Sequence, residues 1–428
     1  MGARIVSKRF TPPRVSRRAF LSLMGAAATA PAFTHAQGRG RPVALYASVG
    51  ATLTRYDIDV DAAALTKREA VTAPASIQYA WPHASRRFLY VISSDTGPGA
   101  GASGGNLHHA TAWRIGESGA LTPHGDPILL PSRPIHISTD IPSVHALVAF
   151  NSPSAVRVYR INRDATLGAE VPQPQAIDAG VFGHQVLVTR DNRTAIFIAR
   201  GNDAAGGRPE DPGVVKVFDY RDGRLTNELA IAPKGGYGFG PRHIDFHPDQ
   251  PWIYLSIERQ NLLSLYRIEG GRVNPQAAFT KSTLSLASPT QPRQLGGAVH
   301  VHPNGRFVYV VNRADASTMV DGKEVLSGGE NTLVVFRIDM ETGEPTAIQH
   351  IDTRGIHCRT FHIDPTGRLL VAAHIRSMSV RDGAAIRNVP AGMSVFRIGG
   401  DGRLEFVRKY DEDVGSSLMF WMGMVPLL

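Results

Sequence analysis

The chain has 428 residues, 43% hydrophobic and 19% charged, enough apolar material for a packed core and too much for a disordered polymer. Its single cysteine, Cys358, excludes an intramolecular disulfide framework and a cysteine-based zinc site. The net charge of +9 invites a nucleic-acid reading. However, six of the 46 Lys and Arg residues and none of the 37 Asp and Glu residues lie in residues 1–36. The remainder is close to balanced and carries no basic run or stripe, which argues against nucleic acid.

The basic start has the layout of an export signal. Arg17 and Arg18 precede Phe20 and Leu21, an apolar run extends from Ala19 to Phe33, and small residues follow. The run is too short for a membrane span, and the arginine pair resembles a twin-arginine signal, which hands folded protein to the twin-arginine export machinery. The expectation is a signal peptide over 1–36, cleavage near Ala36 and a periplasmic product comprising one domain, 37–428.

Beyond it the chain repeats itself. An apolar strand, a turn often reading P-x-G-R and a second apolar strand recur. The clearest copies are HIDFHPDQPWIYLSIERQ (243–260), VHVHPNGRFVYVVNRAD (299–315) and FHIDPTGRLLVAAHIRS (361–377). Weaker copies cover 79–95, 136–152 and 185–202. Each is followed by an alternating strand such as GVVKVFDYRDGRL or NTLVVFRIDMETGE, which reads as half-buried and ends in a tight turn. The turns at 82, 141, 190, 248, 303 and 365 recur about every 57 residues. An opening copy (43–59) lacks its first strand, which EFVRKYDED or SSLMFWMGMV near the C-terminus can supply.

Four strands per unit at this period define an all-β fold: a seven-bladed β-propeller of four-stranded antiparallel blades. The weaker copies leave six or eight blades open. No helix longer than about three turns is expected in 43–428.

Alignment on the turns isolates two registers. Six residues before a turn stand His184, Arg242 and Arg359; ten after stand Asn151, Arg200, Glu258, Arg313 and Ile375. These are strand ends on one rim, where a scaffold needs no charge, so they form a candidate polar site. The competing reading is a set of inter-blade salt bridges. His243, His247, His300 and His302 alternate along strands and read as hydrogen-bonded strand histidines rather than metal ligands. G-x-G-x-x-G at Gly99, Gly101 and Gly104 and G-x-S-x-G around Ser103 lack the strand–helix context those motifs require. The polar stretch ARGNDAAGGRPEDPG (199–213) begins at the proposed mouth and could cover a ligand.

GPRHIDFHP with Glu258 after it, GGAVHVHPNGRFVYVVNR and CRTFHIDPTGRLLVAAH resemble the seven-bladed lactonase family from residue 43 onward. That family includes propeller-type 6-phosphogluconolactonase and 3-carboxy-cis,cis-muconate lactonizing enzyme. The resemblance implies a catalytic set of His184, Arg242, Glu258 and Arg313, no metal or organic cofactor, and a small-molecule lactone substrate. Thr360 stands where the family often has His, and the first copies lack P-x-G-R, which leaves the substrate open. Lactone opening calls for a base, oxyanion donors and a proton for the ring oxygen. Glu258 is therefore expected as base and later acid, Arg242 and Arg313 as anion clamps, and His184 as proton-transfer or orienting partner. Arg200, Asn151 and Arg359 are expected to bind substrate. The protein is expected to be monomeric, with export favouring an unphosphorylated aldonolactone. Two other readings share these residues: a muconate-lactone cycloisomerase and a non-catalytic binding propeller.

Overall fold

Seven antiparallel sheets follow one another along the chain in this computed structural model, and in all but the first the strands of the main path lie in sequence order. The structure describes Gly2 and residues 42–97, 105–285, 293–383 and 385–428. Apart from Gly2, the expected signal segment lies outside them, as do the two glycine motifs around Ser103. Residues Gly40–Leu428 form one compact unit. Blade 1 holds Val43–Val49, Thr52–Asp59 and Ala64–Thr72, and blades 2 to 7 begin at Ser76, Arg133, Gly183, Pro241, Leu295 and Cys358. Among the described residues the one helical element is a 3-10 turn, Pro233–Gly236. No described helix is long and apolar enough to cross a membrane.

The missing first strand of blade 1 comes from SSLMFWMGMV: Met422–Pro426 pairs antiparallel with Val43–Val49, Leu45 opposite Met424. EFVRKYDED instead lies largely in Leu404–Asp411, the outer strand of blade 7. Chain start and chain end thus share a sheet, which closes the ring.

A separate apolar cluster fills each gap between adjacent blades. Leu147 and Val158 of blade 3 meet Phe197 and Phe218 of blade 4. Tyr254 and Leu265 of blade 5 meet Val308 and Phe336 of blade 6. A blade has neighbours on both faces, which explains one departure from expectation. Alternation predicts half-buried third strands, yet in blade 4 the third strand, Val214–Arg221, is buried except for Asp219 and Arg221. The fourth strands are the ones that face solvent, as in Ala64–Thr72.

One element has no place in the repeat. Hairpins Ser317–Leu326 and Met378–Val389, inserted between the second and third strands of blades 6 and 7, join through a parallel pairing of Val325 with Ser379 into an eighth, small sheet. Its strands run only four or five residues within polar loops, too short for a period-two signal.

Candidate active site

The two registers correspond to two structural devices. In blades 3 to 7 the pairing of the first two strands slips next to the residue six before the turn: Ile135, His184, Arg242, Gly297 and Arg359. A β-bulge re-aims the extra residue, and here it turns His184, Arg242 and Arg359 toward one cavity. The residues ten after the turn close the neighbouring strand at the same end. All seven residues expected from the sequence line this cavity of about 980 Å³.

Glu258 is its hub. Oε2 accepts from Arg242 Nη1 at 2.7 Å and from Arg313 Nη2 at 2.9 Å. Arg200 Nε lies 3.6 Å from Oε1. Blades 4, 5 and 6 therefore share one carboxylate, and the salt-bridge reading describes the geometry correctly as far as it goes. Glu258, Arg242 and Arg313 are each 3% exposed. Burial alone would push the Glu258 carboxyl up, but Arg200, Arg242 and Arg313 outweigh it and hold the group well below the usual carboxylate range. A side chain at Gly296 would crowd the backbone at Ile257 and Glu258, so this glycine lets blade 6 approach the hub.

His184 belongs to the same chain of contacts, its Nε2 lying 2.9 Å from Arg242 Nη1. A guanidinium can only donate, so Nε2 carries the lone pair and the ring is neutral. Burial, followed by the charge of Arg242, drives its pKa well below the ordinary value. Asn151 and Arg359 sit apart from the hub. Arg359 donates from Nε to the Phe420 carbonyl (3.0 Å) and lies over the Phe420 ring at 3.6 Å. Arg200 stacks on Phe182 at 5.3 Å.

Nine arginines line the cavity against three carboxylates, Asp203, Glu258 and Asp315. Burial lowers the pKa of Arg133, and burial with the neighbouring arginines lowers those of Arg242 and Arg359; the single carboxylate paired with Arg242 does not offset this crowding. Among the described residues, Arg242 Nε and Nη2 and Arg200 Nη1 are buried without a hydrogen-bond partner. These are the donors that an anion or developing oxyanion can take. Three or more His, Cys, Asp or Glu side chains placed to hold a metal occur nowhere among the described residues. His247 and His302 place Nε2 2.8 Å from the turn carbonyls of Gly305 and Gly367, an inter-blade lock.

Several cavity residues escaped the sequence reading. Asp203, in the 199–213 stretch, pairs with Arg259 (2.8 Å) and Arg293 (3.2 Å) at the rim. Asp315 and His357 lie 2.9 Å apart beside Arg313. Asp315 stands two residues beyond a register position, and that proximity to Arg313 was the one available signal.

Propeller architecture and a buried carboxylate caged by arginines define a ring scaffold with a polar site at one end of its blades. The chain belongs to the seven-bladed β-propeller lactonase family, whose model matches residues 43–382. It is 27% identical over 327 residues to the 6-phosphogluconolactonase of Bacillus subtilis (strain 168), covering 74% of this chain and 83% of that protein. It is 25% identical over 317 residues to that of Erwinia tasmaniensis, covering 73% and 82%. In fold it resembles the periplasmic gluconolactonase of Pseudomonas aeruginosa, with a TM-score of 0.67 at 20% identity over 90% of this chain and 100% of that one.

Proposed function

We propose that the protein is an exported lactonase that opens a lactone bearing an anionic group. The observation that carries this reading is the excess of arginine over carboxylate around Glu258, with donors of Arg242 and Arg200 uncommitted. Water adds to the ring carbonyl, and the oxyanion that forms takes the free Arg242 and Arg200 donors. The tetrahedral carbon then expels the ring oxygen, which leaves protonated. Glu258 receives the water's proton and returns it to the ring oxygen. Caged by arginines it is a weak base, but negative charge arriving on those arginines sits beside it as a like charge and raises its proton affinity. His184, neutral, orients Arg242; Arg313 holds Glu258; Arg359 and Asn151 contact the substrate's periphery.

A carboxylate-bearing lactone reconciles export with the arginine-rich wall, because phosphorylated sugar lactones are cytoplasmic metabolites. The test is a pH-stat assay of purified protein with gluconolactone, its 6-phosphorylated form, a lactone of a sugar diacid and a muconolactone. Faster turnover of the anionic lactones is expected, and release of acid from none of the four would overturn the reading. Opening of the muconolactone to an unsaturated dicarboxylate, with no water added and with the rise in ultraviolet absorbance of a conjugated diene, would favour a cycloisomerase. Export rests on Arg17 and Arg18. Replacing both with Lys should leave unprocessed protein in the cytoplasm; cleavage near Ala36 in the double variant would refute that assignment.

A further inference from the structure

His357 precedes the first strand of blade 7 with φ +52, a left-handed conformation that costs a non-glycine residue roughly 1 kcal/mol or more. Something nearby must hold it there. Its backbone N–H donates to Asn331 Oδ1 at 2.8 Å. The same buried amide accepts from Ala314 N–H at 3.2 Å and donates to the Ala314 carbonyl at 3.1 Å. One side chain thus ties the segment carrying Arg313 and Asp315 to the residue carrying the imidazole.

The ring connects them a second time. Nδ1 lies 2.9 Å from Asp315 Oδ2, and Nε2 lies 3.0 Å from Arg313 Nη1. The guanidinium only donates, so Nε2 carries the lone pair and the hydrogen sits on Nδ1, at contact distance from the Asp315 carboxylate but off the line of a full hydrogen bond. Arg313 then has all three nitrogens engaged: Nη1 on His357, Nη2 on Glu258 Oε2 (2.9 Å) and Nε on the Gly296 carbonyl (3.3 Å). Arg242 is the opposite case, holding Glu258 through Nη1 alone while Nε and Nη2 have no protein partner.

We infer that Asp315 and His357 are positioning residues that lock Arg313 against Glu258, making Arg313 the fixed jaw of the site and Arg242 the jaw that meets the ligand. Asp315 acts through the imidazole by imposing its tautomer. His357 acts through the guanidinium by absorbing the donor that would otherwise turn toward the cavity. The kinetic part of this assignment rests on the lactonase reading; the anion-binding part does not.

The test uses the full chain and three variants. Asp315→Asn presents an amide N–H to Nδ1, which moves the ring proton to Nε2 and sets it against Arg313. His357→Phe removes the acceptor. His357→Gln keeps an acceptor oxygen. Losing a hydrogen bond to a charged group corresponds to about 10–100-fold. That fall is expected in kcat/KM for Asp315→Asn and His357→Phe, carried in kcat because Glu258 loses its fixed partner, whereas His357→Gln should stay within a few-fold of wild type.

Affinity for sulfate and gluconate, measured by titration calorimetry, supplies the second readout. The first two variants free an Arg313 donor toward the cavity, and Asp315→Asn also removes a lining carboxylate, so both should bind these anions about 10-fold more tightly, and His357→Gln should not. If the wild type opens no lactone, the lactonase reading fails while the calorimetry still decides this one. Wild-type kcat/KM and affinity in His357→Phe and Asp315→Asn would overturn the assignment. So would losses that follow the melting temperature across all three variants without rescue by Gln, and so would a wild type that binds neither anion.

Discussion

The two ends of the same strands were built to different rules. At the turn end, four of the seven blades repeat one lock: buried tyrosines Tyr46, Tyr90, Tyr254 and Tyr309 donate to turn carbonyls of a neighbouring blade, at Gly119, Ala165, Gly343 and Gly402, over 2.6–3.0 Å. At the other end, equivalent positions diverge: the bulge carries Ile135, His184, Arg242, Gly297 or Arg359. The strand closure carries Asn151, Arg200, Glu258, Arg313 or Ile375. Repetition serves stability where every blade faces the same packing problem. Divergence marks the end where blades 3 to 7 face one cavity, and what is set there is charge.

The largest expected effect strikes the divergent end. Glu258→Gln preserves shape but removes the one negative charge shared by arginines of three blades, so lactone turnover should fall about 10²–10⁴-fold. Stability should fall as well, by ~3 kcal/mol, since Arg242 and Arg313 would stay buried without a counter-charge. The rate decides between the two roles of this residue. Full activity with a lowered melting temperature would make Glu258 a brace only, and the contrast between the two ends would collapse.

A smaller effect comes from pH. Burial lowers His136 to about 3; burial, reinforced by Arg313 against Asp315, lowers His357 to about 4; burial against the Gly392 carbonyl lowers His374 to about 4. Each is neutral when folded and titrates near 6.5 when unfolded, so between those values the unfolded chain binds more protons. Stability therefore falls as pH drops below about 6.5, by ~2 kcal/mol per histidine at pH 5 before any relaxation. Melting curves between pH 7.5 and 5 check this. A flat profile would mean that these rings are hydrated or paired more strongly than their surroundings indicate.

The repeated end was legible because it is repeated. P-x-G-R turns and alternating strands reveal the blade count, and the turn register alone puts Arg242, Glu258 and Arg313 on one rim. Closure by SSLMFWMGMV could not be told from closure by EFVRKYDED, since each is a short candidate strand near the C-terminus with nothing in its pattern to name its partner. His357 and Asp315 stayed invisible for the converse reason: they fall outside both registers, and a histidine at positive φ has no periodic signature. The arginine cage was equally hidden. Arg133, Arg259 and Arg293 lie far apart in sequence, and only the ring brings them to one wall.

The smallest prediction tests the regular end directly. Tyr254 is fully buried, and its hydroxyl donates to the Gly343 carbonyl at 2.8 Å, from blade 5 to blade 6. Tyr309 does the same to Gly402 between blades 6 and 7 at 2.8 Å. Phe at either position keeps the ring in its apolar cluster and leaves one buried carbonyl without its partner, a loss of about 1 kcal/mol. The two locks lie in different inter-blade clusters and share no partner, so the double variant should show close to the sum. Lactone turnover should not change, because neither tyrosine lines the cavity. Chemical denaturation of both single variants and the double, with turnover measured on the same samples, gives the answer. A double loss well above the sum would mean that the blades communicate around the ring, and a fall in turnover would mean that the scaffold end also sets the geometry of the site.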